Sequence, residues 1–269
     1  FRKLKNDNIT IGFAPTMGAL HDGHTSLIKK SVLENDYSVV SIFINPTQFN
    51  NINDYESYPI DISKDIELLD SISENIILFT PDIDEIYSGK VVSDSYDFGD
   101  LDKYMEGEFR KGHFQGVATV VHKLFEIVTP NNVYFGEKDF QQLRIIEDLV
   151  QRNRYKLNVI RCKTIRQNDG LALSSRNKKL DISSQNIATN LFKALSFAKK
   201  NFDTLDLEII YAKVEDLLQN FPLITVEYFV IANEEDLKPI KQKKKNQKYR
   251  AFIAADISGV RLIDNIKLY

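Results

Sequence analysis

The chain has 269 residues, 43% hydrophobic and 27% charged, with a formal net charge of −3. That length supports one large domain with a smaller one, or two of medium size. The near-neutral balance gives no global attraction to nucleic acid or to an anionic membrane, and no apolar run reaches the roughly 18 residues needed to span a bilayer.

No signal peptide is visible, and the single cysteine, Cys162, excludes an intrachain disulfide. Both features point to a reducing, cytoplasmic setting. The chain starts at Phe1 rather than Met, so a short N-terminal piece is expected to precede it.

In chain order, "ITIGFAP" (9–15) is a short apolar run ended by Pro15 and reads as a buried strand. "HTSLIKKSVLEN" then spaces Leu27, Ile28 and Val32 as on a helix, starting at about His24. "YSVVSIFIN" (37–45) is a continuous apolar strand of the type buried on both faces of a parallel sheet. A helix around 62–73 and a strand "NIILFT" (75–80), stopped by Pro81, complete a β–α–β–α–β alternation. That alternation predicts an α/β fold, an open Rossmann-like doubly wound parallel sheet.

Further on, Val117, Val120, Val121, Leu124, Phe125 and Val128 recur at i, i+3, i+4, i+7, i+8 and i+11, an amphipathic helix stopped by Pro130. A strand "NVYFG" (132–136), a helix from Asp139 to about Gln151 and a strand "KLNVIRCKT" come next, with Cys162 a small buried thiol on the last. Beyond about 178 two helices (about 183–201 and 206–220) precede strand-like runs near 223–231, 249–257 and 259–266. "DISGV" (256–260), with Gly259, reads as the tight turn of an antiparallel hairpin. The expected layout is a Rossmann-like domain over 1–177 and a smaller C-terminal α+β lid domain over 178–269. The basic run "KQKKKNQK" (241–248) reads as a solvated turn or loop, with a polyanion contact as the alternative.

The chemistry concentrates in loops that leave the ends of strands. In "APTMGALHDGH" a strand gives way to a loop holding Gly18 and Gly23 and then to a helix. Three readings of His21 and His24 are open: a metal pair, packing or capping residues, or the phosphate-handling end of a nucleotide pocket. Zinc needs three or four ligands, and four scattered histidines and one cysteine supply them poorly. A helix N-terminus beyond the carboxyl end of a parallel strand presents free N–H groups to anions, and glycines let phosphate approach the backbone. Two imidazoles there could donate to charge developing on phosphate oxygens.

"VYFGEKDFQQLRII" (133–146) repeats the pattern of strand, Gly loop and helix. Gly136 permits close approach, Lys138 offers a point charge, Asp139 a helix cap or a ribose contact, and Gln141 and Gln142 neutral donor–acceptors. In "IRQNDGLALSSRNKKL" (165–180), Ser174, Ser175 and Arg176 suit a phosphate clamp, with an N-cap beside charges as the bland alternative. "NPTQF" (45–49) and "GHFQG" (112–116) place Gln48 and His113 at the expected cleft, His113 as phosphate contact or helix cap.

Five blocks in order carry a resemblance across nearly the whole chain: "PTMGALHDGH" (15–24), "SIFINPTQF" (41–49), "GHFQGVATVVHKLF" (112–125), "FGEKDFQQL" (135–143) and "DGLALSSRN" (169–177). The chain resembles the pantothenate synthetases, the pantoate–β-alanine ligases of the nucleotidyltransferase superfamily. The resemblance implies a coenzyme A pathway ligase that makes pantoyl adenylate and pyrophosphate from ATP and pantoate with Mg²⁺, and then passes the pantoyl group to β-alanine, releasing AMP. It implies a homodimer, with no nucleic-acid or membrane partner. Carried over by position, His24 and His21 are catalytic, together with Lys138 and Arg176. Pro15, Thr16, Met17, Gly18, Ala19, Leu20, Asp22 and Gly23 line ATP with them, as do Gly136, Glu137, Asp139, Ile165, Leu173, Ser174 and Ser175. Gln48 and Gln142 hold pantoate, Gln48 also meets β-alanine, and Tyr58 and His113 match further positions of the substrate pocket. The protein ligands of the metal are left open.

The chain departs from the family at three places. Leu173 stands where the family has Met, Ile60 comes after Tyr58-Pro59 where Arg is common, and Lys111 replaces a proline. A different adenylyltransferase would need the HxGH pattern and the Ser-Ser-Arg stretch but neither "NPTQF" nor "KDFQQL". A non-catalytic nucleotide sensor would bind ATP without pyrophosphate exchange.

Overall fold

The structure, a computed structural model, describes residues 9–269. Five parallel strands form one sheet in the order β3-β2-β1-β4-β5. They are β1 (Ile11–Thr16), β2 (Tyr37–Ile42), β3 (Ile76–Phe79), β4 (Asn132–Gly136) and β5 (Asn158–Cys162). The order reverses between β1 and β4, and in a doubly wound sheet ligands bind outside the carboxyl ends of the strands at such a switch point.

The buried residues of β1 and β2 explain the continuous apolar runs: Ile11, Phe13, Val39 and Val40 are fully buried, as a sheet covered on both faces requires. β1 runs one residue past Pro15. The proline is tolerated because β4 pairs with β1 only at Gly12 and Phe13, so no ladder bond on that side is lost.

The helices of this unit are α1 (Asp22–Glu34), α2 (Ile52–Glu56), α3 (Ile62–Asp70), α4 (Ile83–Tyr87), α5 (Glu106–Phe109), α6 (His113–Val128) and α7 (Phe140–Arg152). All six apolar positions read from the periodicity of α6 are buried. Its C-cap, Thr129, takes a left-handed conformation just before Pro130.

The second architecture is α8 (Ile182–Asn201), α9 (Leu207–Gln219) and an antiparallel sheet of β6 (Ile224–Asn233), β7 (Tyr249–Ile257) and β8 (Val260–Lys267) in that order. Leu191, Ala194, Leu195, Ile210, Val214, Ile231, Ile253 and Ile257 lie in one core. Ser258 and Gly259, at φ 54° and 84°, form the β7–β8 turn, the doubly left-handed hairpin turn that suits twisted strands.

The chain divides into two compact units. One runs through Asp102 and includes Glu106–Glu137 and Gln141–Lys163; the other comprises Lys103–Met105, Lys138–Phe140 and Thr164–Tyr269. The boundary near 177 read from the sequence therefore moves to 163/164. Leu171 and Leu180 lie in the second unit's core, and Arg166 is ion-paired to Asp264 on β8, so 165–180 folds with the C-terminal helices and sheet. The basic run lies between β6 and β7, and Lys243 turns inward to donate to the carbonyls of Phe202 and Leu205 beyond the end of α8, where a cation complements the helix dipole.

Candidate active site

The loop leaving β1 is held in shape by two side chains. Thr16 Oγ1 donates to the Ser41 carbonyl at 2.7 Å and accepts from the Gly18 N–H at 3.1 Å. Asp65 on α3, buried to 3% exposure, accepts from the Ala19 N–H at 2.9 Å and the Leu20 N–H at 2.7 Å. The turn needs that support because Gly18 and Ala19 both have positive φ, 82° and 49°. At Gly18 a Cβ would lie 2.9 Å from Ile42 and 3.1 Å from the Asp65 carboxylate, so space as well as φ demands glycine.

Helix α1 begins at Asp22, two residues earlier than the sequence suggested. His21 is its N-cap, with Nδ1 accepting from the Gly23 N–H at 3.1 Å. That bond places the His21 proton of the neutral ring on Nε2. The His24 ring lies against it, centroids 4.1 Å apart at 37°. Capping and phosphate handling are thus compatible: Nδ1 finishes the helix, and the opposite edge of the ring remains a donor in kind.

The loop leaving β2 carries Gln48 in a short 3-10 turn, Pro46–Gln48. Asn45, 1% exposed, organises it. Its Nδ2 donates to the Gln48 Oε1 at 3.1 Å and to the Gly116 carbonyl at 3.0 Å, and its Oδ1 accepts from Tyr87 OH. Burial pushes the Tyr87 hydroxyl up from its ordinary value, which keeps it a donor. Gln48 Nε2 reaches the Met17 sulfur at 3.0 Å, joining this turn to the β1 loop.

His113, the first residue of α6, is committed on both ring nitrogens. Nδ1 meets the Gln48 carbonyl at 2.8 Å and Nε2 meets Arg110 Nη1 at 3.1 Å. Arginine only donates, so Nε2 accepts and Nδ1 carries the proton. His113 thereby also holds the backbone of Gln48, through the carbonyl that its Nδ1–H meets. Tyr58 is buried, its ring edge-on to Phe49 at 6.0 Å. Of the paired glutamines, Gln141 is structural, accepting from the Glu106 N–H at 3.0 Å and donating to the Leu101 carbonyl at 2.8 Å. Gln142 beside it is half-buried.

Gly136 ends β4, and Glu137 after it is buried. In the second unit, Lys138 Nζ lies 3.7 Å from Asp139 Oδ1. Ile165 accepts from the Leu173 N–H at 3.0 Å across a hairpin. Ser174 caps the next turn, accepting from the Arg176 N–H at 3.3 Å, and Ser175 is buried. The capping alternative for this stretch therefore holds for Ser174.

Asn45 and Asp65 were missed as site-builders. Asn45 adjoins Pro46 and had a turn signal; Asp65 bonds residues 45 and 46 positions away and had none. Ile60, where the family has Arg, is 67% exposed. The loop at Lys111 is tied by its carbonyl to Asn50 Nδ2 at 2.6 Å. Outside these loops, His122 pairs with Tyr155 OH at 2.7 Å and Glu126 at 3.5 Å on α6. No helix among the described residues is long and apolar enough to cross a membrane.

The pantoate-beta-alanine ligase family model matches residues 1–267. The pantothenate synthetase of Flavobacterium psychrophilum is 47% identical over 262 residues, covering 97% of this chain and 93% of that protein. That of Christiangramia forsetii is 46% identical over 267 residues, covering 99% and 94%. The crystal structure of pantothenate synthetase from Thermus thermophilus matches with a TM-score of 0.92 at 35% identity, covering 100% of this chain and 97% of that one. That of pantoate-beta-alanine ligase from Francisella tularensis, complexed with beta-gamma ATP and beta-alanine, matches with a TM-score of 0.80 at 40% identity, covering 97% and 91%.

Proposed function

This chain belongs to the pantoate–β-alanine ligase family, and on that premise we propose how its residues condense pantoate with β-alanine using ATP. The observation that carries the function is the family match over residues 1–267. In the first step a pantoate carboxylate oxygen attacks the α-phosphorus of ATP, the bond to the β-phosphate bridge breaks, and pyrophosphate leaves. In the second the β-alanine amine attacks the acyl carbon of pantoyl adenylate, AMP leaves, and the amine loses a proton to phosphate or water.

The first step brings two anions together, so its barrier falls with preorganised positive charge and N–H donors. His24 and His21 act as donors to charge developing on the phosphates, at an α1 N-terminus that itself favours anions. Lys138 and Arg176 supply cationic charge. By family position, the proposed ATP contacts are Pro15, Thr16, Met17, Gly18, Ala19, Leu20, Asp22, Gly23, Gly136 and Glu137, together with Asp139, Ile165, Leu173, Ser174 and Ser175. Gln48 and Gln142 hold pantoate, Gln48 also meets β-alanine, and Tyr58 and His113 take further positions of the substrate pocket. The bonds of Gln48 to Asn45 and Met17 support that role, because they leave its amide with one orientation.

Mg²⁺ bound to ATP would offset phosphate charge. Among the described residues no group of three or more His, Cys, Asp or Glu is arranged to hold a metal, and both oxygens of Asp65 already serve amides. Mg²⁺ usually keeps several waters and is held by substrate phosphates with one or two carboxylates, a mode that needs no such cluster. A cytoplasmic homodimer completes the proposal.

The test is AMP release from ATP, pantoate and β-alanine, where a rate independent of β-alanine would refute the reaction. His24→Ala is expected to slow single-turnover adenylation by about 10²–10³, the loss typical of removing one charge-stabilising donor.

A further inference from the structure

Two adjacent residues of β8 fasten two separate stretches of chain. Asn265 Nδ2 donates to the Lys138 carbonyl at 2.7 Å, and its Oδ1 accepts from Arg250 Nη1 at 2.5 Å. Asp264 takes the Arg166 guanidinium on both oxygens, at 2.6 and 2.9 Å. Arg166 also donates to the Asn265 carbonyl at 3.2 Å and to the Gly170 carbonyl at 3.1 Å. The Asn265 N–H donates to Asp264 Oδ1 at 2.7 Å, so the pair acts as one fitting.

The fitting is rigidly backed. Arg250, 2% exposed, donates to Glu234 Oε1 at 2.8 Å and lies 3.9 Å from the Phe140 ring centroid. Glu234 in turn accepts from Tyr269 OH at 2.7 Å. The Arg166 guanidinium lies 4.2 Å from the Phe192 ring centroid, and Gly170 is so close to that ring that a Cβ would sit 2.1 Å from it.

Burying this many ionic and amide groups is costly unless each is partnered, and an apolar cluster of similar volume would serve stability as well. The network's outer ends explain its chemistry better. One ends on the backbone of Lys138. The other ends on Arg166, which follows Ile165 and pairs with Ala172 in the hairpin that leads to Leu173, Ser174, Ser175 and Arg176. We propose that Asn265 and Asp264 are positioning residues, which hold Lys138 and the 165–176 segment in one fixed arrangement so that both meet ATP preorganised. This rests on the reading that Lys138 and Arg176 contact ATP.

Asn265→Asp tests it. The substitution keeps size and an acceptor for Arg250, but sets an oxygen where the donor to the Lys138 carbonyl was. The expected result is a fall of about 10- to 100-fold in kcat/KM for ATP in pyrophosphate release, the scale of a displacement near 1 Å, with the KM for β-alanine in the second half-reaction unchanged. In a Lys138→Ala background the same substitution should change adenylation less than about twofold, since coupled positions are non-additive. Asp264→Asn, which keeps one acceptor for Arg166, should show the same ATP-specific loss and serves if Asn265→Asp does not fold. A lowered melting temperature with ATP kinetics unchanged, or full additivity with Lys138→Ala, would reduce the pair to a structural brace and overturn the proposal. Lys138→Ala alone leaving ATP kinetics unchanged would instead remove the underlying reading of Lys138.

Discussion

At the residue scale, Asp65 shows how a side chain outside every motif shapes the one motif that matters most. Its two oxygens take consecutive amides, Ala19 and Leu20, in a turn with two left-handed residues. Asp65→Asn would set an NH₂ group against one of those N–H donors. The expected loss is about 1.5–3 kcal/mol, the range for a hydrogen bond to a charged group, read as a lower urea midpoint together with slower adenylation. An unchanged midpoint would mean that the turn stands without the carboxylate. "TMGALHDGH" was readable as a glycine loop entering a helix because Gly18, Gly23 and the apolar spacing are local signals. The partner that holds the loop was not, since residue 65 lies three elements away and its sequence neighbourhood shows only a helix start with acids.

At the element scale, the position of Gln48 is decided by how closely α6 approaches the turn after β2. At Gly116 a Cβ would fall 2.4 Å from the Thr47 carbonyl oxygen and 2.8 Å from the Gln48 nitrogen. Gly116→Ala must therefore push the turn away, with an overpacking cost of about 1–3 kcal/mol. The measurable consequence is a raised KM for pantoate with a smaller change for ATP; equal changes in both would show that the turn does not set pantoate binding. The helix was evident from its spacing, all six apolar positions being buried. Periodicity also assigns Gly116 to the helix interior, where it would look merely unfavourable. The reason for a glycine is the neighbouring backbone, which no pattern within α6 reveals. His113 makes the same point, because its commitment to the Gln48 carbonyl depends on that approach.

At the scale of the whole molecule, weakly acidic groups buried in the folded chain set an alkaline limit. Burial raises the Cys162 thiol to about 11 from an ordinary 9.0, and the Tyr96 and Tyr155 hydroxyls to about 12 from 10.0. It also raises Tyr134, Tyr87 and Tyr211. A folded-state value above the unfolded one means that the stability is fully present below the unfolded value and is lost as pH rises through the folded one. The melting temperature should therefore hold to about pH 9 and fall between about pH 9 and 12. A flat profile to pH 12 would show these groups equally accessible when unfolded and folded. At pH 8 Cys162 is a neutral buried thiol and should react with a disulfide reagent only in denaturant.

The sequence by itself determined the α/β class, the order of the elements, the amphipathic faces and the places where glycine loops leave strands, because each depends on neighbours within a few residues. It also carried the five blocks of the ligase family. Only the tertiary structure decided that 165–177 folds with the C-terminal unit, that His21 caps α1, that His113 serves Gln48 from behind, and that Asp65, Asn45 and Asn265 hold the loops in shape. The His21 cap is a local bond that depends on where α1 starts; the other roles depend on hydrogen bonds between residues far apart in the chain, which leave no periodic or compositional trace.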